Sequence, residues 1–451
     1  MRLVWLTSVV ALLLLAVNTT DAKRKPKLEP ATPYTPAWAD ARLRTITHRY
    51  NAKQTPEQNG AALKAAMQGL KPGTELVIEG GEYSIDSWFK LDLEATEKAP
   101  IRITAAETKK TKSGEEPVFA QVIITRPDAK QNLLNVGVDS PTRYVSLRGL
   151  EFTGGGHGIR LYDCENVWID RCHIHHTGEV AISANTKDTA FLYITRNDIH
   201  DTAGTGEGMN LGANNGKVRM HDSVIALNHV HDIGGDKVSQ GDGIEIKQGS
   251  YGNLIAENTV HDTAYPCIIA YGTGGEAPNI IERNVCWNSG DNVMQVQGEA
   301  IVRNNLLMNG KGAGFSSHDH QGKSINLTFV HNTIISSNRG AKFSSWNARD
   351  GMVFANNAVY SEGTALDFSG GSEGAVVAGN VILGGVSGVG RGYTQGRNLS
   401  DFTEVSWDAV KRNAAPSAKS ALKNAADKEH LIEIDINAEA RKRNVVGCFE
   451  K

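Results

Sequence analysis

The sequence predicts an all-β solenoid: a right-handed parallel β-helix of about ten or more turns, with an N-terminal helical cap. Three observations predict it. One phrase recurs down the chain: VWIDRCHIHHTG from Val167, LYITRNDIHDTA from Leu192, SVIALNHVHDIG from Ser223, NLIAENTVHDTA from Asn253 and NIIERNVCWNSG from Asn279. Within each copy apolar residues alternate by two, the period of a strand and not of a helix. Glycine is abundant, 47 of 451 residues, while aromatics are only 6%. That balance suits many turns and thin stacked layers rather than one globular core.

The elements follow in order. Residues 1–22 read as a secretory signal: Met1-Arg2, an apolar run from Leu3 to Val17, and a small residue, Ala22, at the expected cleavage point. Residues 23–45 read as a flexible leader, rich in Pro and basic residues. Residues 46–110 form the N-terminal cap and first strands. Within them Gln58 to Leu70 reads as a helix, stopped by Lys71-Pro72-Gly73, that would cover the open end of the coil. Residues 111–395 are the β-helix. Its register residues are Gly149, Cys172, Asn197, Asn228, Asn258, Asn284, Asn305, Asn332, Asn357 and Asn380. Amides stacked at the strand spacing can hydrogen-bond along the axis, so this Asn column reads as structural. Three residues on lies a second column, His175, His200, His231, His261 and Trp287, read as stacked surface rings partnered by Asp201, Asp232 and Asp262. Residues 396–451 are a C-terminal capping segment, with Ala421–Ala426 and Ile436–Arg443 as its caps.

Composition excludes several classes. Lys+Arg 47 against Asp+Glu 50 gives a net charge of −3, so no basic excess points to nucleic acid. After the signal no apolar stretch approaches the length of a membrane span. The hydrophobic fraction of 40% is enough to bury a core. Five cysteines (164, 172, 267, 286, 448) lie outside the signal at spacings that match no metal pattern; buried thiols are expected, with one bridge an open alternative. A secreted or periplasmic monomer is expected.

The segments KPGTELVIEGGEYSI and TEKAPIRITAAE, the coil run 144–385 and the closing NVVGCFE resemble secreted right-handed parallel β-helix proteins, including the polysaccharide lyase family of chondroitinase B and alginate lyases. That family places an acidic pair on one strand as calcium ligands, an Asn one turn earlier, a Lys base a few residues later and an Arg on the next turn. In GDGIEIKQGSYGNLIAENTVHDT, from Gly241, Glu245 falls on the acidic strand and Asn210 on the turn before. Lys247 follows Glu245 by two, and Tyr271 stands where the Arg is expected. The resemblance implies a lyase acting on an acidic, uronate-containing polysaccharide, with Ca²⁺ as the cofactor.

The residues themselves sharpen that expectation. Aligning the strand after each Gly stacks Glu179, Glu207 and Asp242 in one acidic column. Carboxylates stacked at strand spacing repel unless a cation or proton intervenes, so Glu207, Asn210, Asp242 and Glu245 are the candidate metal ligands. With Ile244 and Ile246 inward, Glu245 and Lys247 face outward. Ile269 and Tyr271 are placed one turn above, and Met294 and Val296 beyond. Lys247 is the candidate base, and Tyr271 or His318 the candidate acid. His320 and Trp346 are candidate substrate-binding residues. A glycoside hydrolase using Asp242 with Glu245 or Glu207, a uronate epimerase using His318-Asp319-His320, and a non-catalytic carbohydrate-binding β-helix remain alternatives.

Overall fold

The computed structural model describes residues 34–109, 116–235 and 238–451. The expected export signal and the leader up to residue 33 lie outside them. The described chain is a parallel β-solenoid of about 13 turns. One sheet takes a strand from each turn, from Arg44–His48 through Thr142–Arg148, Val224–Ala226 and Leu254–Ala256 to Val376–Ala378. The other takes two strands from most turns, for example His229–Ile233 and Ile244–Ile246. Every pairing in these two sheets is parallel; Phe402–Val405 with Arg412–Pro416 forms a separate antiparallel pair.

Strand alternation puts one column of side chains into the interior. Ile182, Met209, Ile244, Ile268, Met294 and Phe315 succeed one another in register and are fully buried. The Asn column is continuous. Asn228 Nδ2 donates to Asn258 Oδ1 at 2.9 Å and to the Ile194 carbonyl at 2.8 Å, and Asn258 repeats the pattern with Asn284 and Ile225. Cys172 continues it, its backbone N–H donating to Asn197 Oδ1. Each amide so satisfies the backbone at a bend that the strand ladder leaves unpaired. The residue just before Cys172 and before each Asn has a left-handed backbone: Arg171, Arg196, Leu227, Glu257 and Arg283 all have φ between 51° and 60°. A second ladder, Ser223–Asn253–Asn279, runs at another corner. All five cysteines are buried free thiols.

The predicted helix is present as Pro56–Gln68, closed by a capping box between Thr55 and Gln58, with Leu63 and Met67 buried. Gly60 touches the coil: a Cβ there would sit 1.9 Å from the Ser84 carbonyl oxygen.

Two expectations about the flanks need correction. The leader does not extend to residue 45. Trp38 is buried edge-on against Tyr144 and Trp168, the Tyr34 hydroxyl donates to Glu257 at 2.7 Å, and Arg44–His48 is already a sheet strand. Aromatic burial outweighs the proline content there. The C-terminal segment lies along a side of the coil. Phe402, Leu422, Val445 and Val446 pack on Leu306, Met308, Ile335 and Tyr360, because those turns present apolar residues outward and need covering.

Candidate functional site

The strand Ile244–Ile246 explains the site's placement. Its two isoleucines fill the interior, so Glu245 between them must point out. Gly243 lets this turn pack closely: a Cβ there would lie 2.4 Å from Val260 Cγ1 and 2.5 Å from the Cys267 carbonyl oxygen. Register then stacks Ser183, Asn210, Glu245, Ile269, Gln295 and Ser316 in one outward column.

Glu207, Asp242 and Glu245 converge, each with a carboxylate oxygen within 4.8 Å of the others, and all three are buried. Asn210 Nδ2 donates to Glu207 Oε1 at 3.1 Å and to Glu245 Oε2 at 3.2 Å. Lys247 Nζ donates to Glu245 Oε1 at 2.5 Å. Three oxygens in this cluster are buried with no hydrogen-bond partner: Glu207 Oε2, Asn210 Oδ1 and Asp242 Oδ1. Burial first, then the Glu245 and Glu207 charges, hold Asp242 well above the usual carboxylate range. Burial also raises Glu245, against the pull of Lys247. One ammonium facing three carboxylates leaves the cluster short of positive charge, and its oxygen donors are those a hard cation takes.

Tyr271 stands over Lys247, with Nζ 5.9 Å from the ring centroid, and its ring meets His320 edge-on at 5.1 Å. Burial, then Glu245 and Asp242, raise the Tyr271 hydroxyl, keeping it protonated. His318 stacks on His320 at 5.7 Å, and burial, then His320, lower its pKa. Together Asp242, Glu245, Lys247, Tyr271, His318 and His320 line a cavity of about 480 Å³. It shares Gln240 and Lys247 with a second depression reaching Glu207 and Asn210, and Asp291 and His318 with a third reaching Lys342. The three form a groove along the coil axis.

Three placements differ from expectation. Glu179 is outside the acidic column: with Ile182 opposite Met209 and Met209 opposite Ile244, Val180 stands level with Glu207 and Asp242. The Glu179 carboxylate instead accepts from the Thr205 backbone N–H at 3.1 Å. Met294 and Val296 face the core, and the outward neighbours are Gln295 and Gln297. Trp346 is fully buried, its ring 4.4 Å from Phe343 and its indole N–H donating to Ser317 Oγ at 2.9 Å; it has no surface to offer a substrate. Sequence reading missed Asn214, Gln240 and Asp291 in the groove wall, because loop residues carry no periodic signal, and Gln295 through the one-residue slip that put Met294 in its place.

Fold and groove together define a right-handed parallel β-helix with an acidic axial cleft. A family model described as "Right handed beta helix region" matches residues 133–278 and again 239–382; the chain belongs to that family. Among solved structures it is similar to XylC in complex with xylose, at 9% identity, 90% of this chain, 98% of that chain and a TM-score of 0.54. It is also similar to pectate lyase Pel9A (14% identity, 91% and 97% covered, TM-score 0.47) and to an alginate lyase from Paenibacillus sp. str. FPU-7 (18%, 64% and 98%, TM-score 0.39). Likeness at this identity shows the fold. No curated protein matches the sequence. Among the described residues, no helix is long and apolar enough to cross a membrane.

Proposed function

We propose that the chain is an exported lyase that cleaves an acidic, uronate-containing polysaccharide by β-elimination in the axial groove. The observation that carries this reading is the buried cluster of Glu207, Asp242 and Glu245, with three unpartnered oxygens, directly beside Lys247 and Tyr271. Glu207, Asn210, Asp242 and Glu245 would hold Ca²⁺, which when bound neutralises the substrate carboxylate and makes the adjacent C5 proton acidic.

Lys247, on the same outward face as Glu245, accepts the C5 proton. The electron pair left on C5 forms the C4–C5 double bond, the C4–O bond breaks, and Tyr271 gives the leaving oxygen its proton. His318 lies in the same groove wall and is the second candidate for that donor. His320, edge-on to Tyr271, fixes the ring and borders the substrate path.

The test is incubation of the full chain with alginate, pectate and glycosaminoglycans, with Ca²⁺ or with a chelator, following ultraviolet absorbance of the unsaturated uronate. Rising absorbance that needs Ca²⁺ supports the reading. New reducing ends without absorbance would replace it with hydrolysis by the carboxylates.

A further inference from the structure

A second polar strip lies on a different face of the coil from the groove. Strands 173–177, 198–202, 229–233 and 259–263 stack in register, so His173, Asp198 and His229 form one outward column, and His175, His200, His231 and His261 the next. The second column stacks ring on ring: His175–His200 at 5.1 Å, His200–His231 at 4.8 Å, His231–His261 at 5.4 Å and His261–Trp287 at 4.1 Å. Beyond Trp287 the same two columns continue as Leu306, Met308, Ile335, Ala358 and Tyr360, where the C-terminal segment covers them. The cover reaches the strip's edge at Arg412, over the Trp287 ring at 4.1 Å.

The protons of this strip do not suffice for its contacts. His231 Nδ1 lies 2.7 Å from Asp232 and His261 Nδ1 lies 2.5 Å from Asp262, so each neutral ring carries its hydrogen on Nδ1. His229 Nδ1 faces Asp198 Oδ1 at 3.0 Å and carries its hydrogen there too. The Nε2 atoms then hold lone pairs. Yet His229 Nε2 and His261 Nε2 face each other at 3.0 Å, and His231 Nε2 faces Asp198 Oδ1 at 3.1 Å. Two acceptor-to-acceptor contacts side by side call for a positive centre. Asp198, His229 and His231 each offer a ligand atom within 4.8 Å of the others.

We infer that Asp198, His229 and His231, with His261 bordering them, bind a divalent transition cation of the zinc and copper class. Imidazole nitrogens with one carboxylate suit such ions and not Ca²⁺ or Mg²⁺. Asp232 acts as a positioning residue, holding His231 Nδ1–H so that Nε2 faces the ion, the arrangement that commonly supports metal-bound histidine. His173, His175 and His200 form a related all-histidine group, with His173 and His175 two turns before His229 and His231 and with His173 Nε2 and His200 Nε2 at 2.7 Å. Nε2 atoms this close part slightly to admit an ion at about 2.0–2.1 Å from each. This site is independent of the groove and of its chemistry.

Titration calorimetry of the full chain with ZnCl₂, in excess Ca²⁺, tests it. The expected result is micromolar or tighter binding that Ca²⁺ does not displace, lost in a variant carrying His229→Gln and His231→Gln whose circular dichroism is unchanged. Cu²⁺ bound to the parent chain should show nitrogen hyperfine structure in its electron paramagnetic resonance spectrum. Should the double variant not fold, Asp232→Asn is expected to weaken Zn²⁺ binding about 10–100-fold. Absence of Zn²⁺ binding by the parent chain means that protons alone fill these contacts and overturns the proposal. So does Zn²⁺ binding that survives the substitutions, which would place the ion at other residues.

Discussion

Lys247 Nζ sits 2.5 Å from Glu245 Oε1, two residues along the same outward face, and the pair is almost wholly buried. A surface pair of this kind contributes little. A buried one whose acid also belongs to a carboxylate cluster couples the charge of the amine to whatever binds the acid. Lys247→Ala is therefore expected to lower the ultraviolet lyase signal by about 10²–10⁴-fold, the range for loss of a general base. Ca²⁺ binding, measured by calorimetry, should persist in that variant.

Glu245→Gln removes a ligand of the proposed cation and the partner of Lys247 together. It should abolish both Ca²⁺ binding and activity. If Ca²⁺ binding survives, the cation belongs elsewhere.

Tyr271→Phe keeps the ring that His320 packs against and deletes the proton donor. The fall should be in kcat, with KM nearly unchanged. Activity that survives Tyr271→Phe and disappears with His318→Gln would move the acid to His318.

Asp242 gives a pH dependence with a definite sign. Its folded-state pKa is raised, chiefly by burial. The stability it contributes is complete below the unfolded value of about 3.9. That contribution is lost as the pH rises through the raised value. In chelator, the melting temperature should fall as pH climbs out of the acid range, and Asp242→Asn should flatten that fall. Added Ca²⁺ should restore stability at neutral pH by binding only the folded state.

Asn258 joins three turns through Asn228, Asn284 and the Ile225 carbonyl. Asn258→Ala leaves buried groups unpaired on both sides and should cost roughly 2–4 kcal/mol in denaturant unfolding. Trp346→Ala should cost about 3–5 kcal/mol while leaving carbohydrate affinity unchanged, since the ring is buried.

The coil was legible because its signals repeat. The Asn column, the alternation and the ring column each recur at one position per turn, so a single ambiguous copy is corrected by its neighbours. The site was legible where a strand fixed it: Ile244 and Ile246 determine that Glu245 points out. It failed where a glycine was used as the ruler. Gly178, Gly206 and Gly241 precede Glu179, Glu207 and Asp242 in sequence, yet the strands beyond them pair so that Glu179 lies one residue out of level. A slip of one residue also exchanged Met294 for Gln295. The left-handed bends at Arg196, Leu227 and Glu257 carry no residue-type signature, because these side chains do not favour that conformation. Trp346 sat in a polar stretch, and nothing local showed that its ring turns inward.

The C-terminal segment has a mechanical consequence. A stack of turns touching only their neighbours unravels one turn at a time from a free end. Here Ile434 accepts from Asn304, Cys448 is tied to Thr333, and Gly447 and Asp427 are tied to Asn356. One continuous strap thus fastens three successive turns, the first and third of which do not touch each other directly. Peeling any of them must break the strap's grip on all, so the last turns should melt as a single block, and proteolytic removal of the strap would let them fray in sequence.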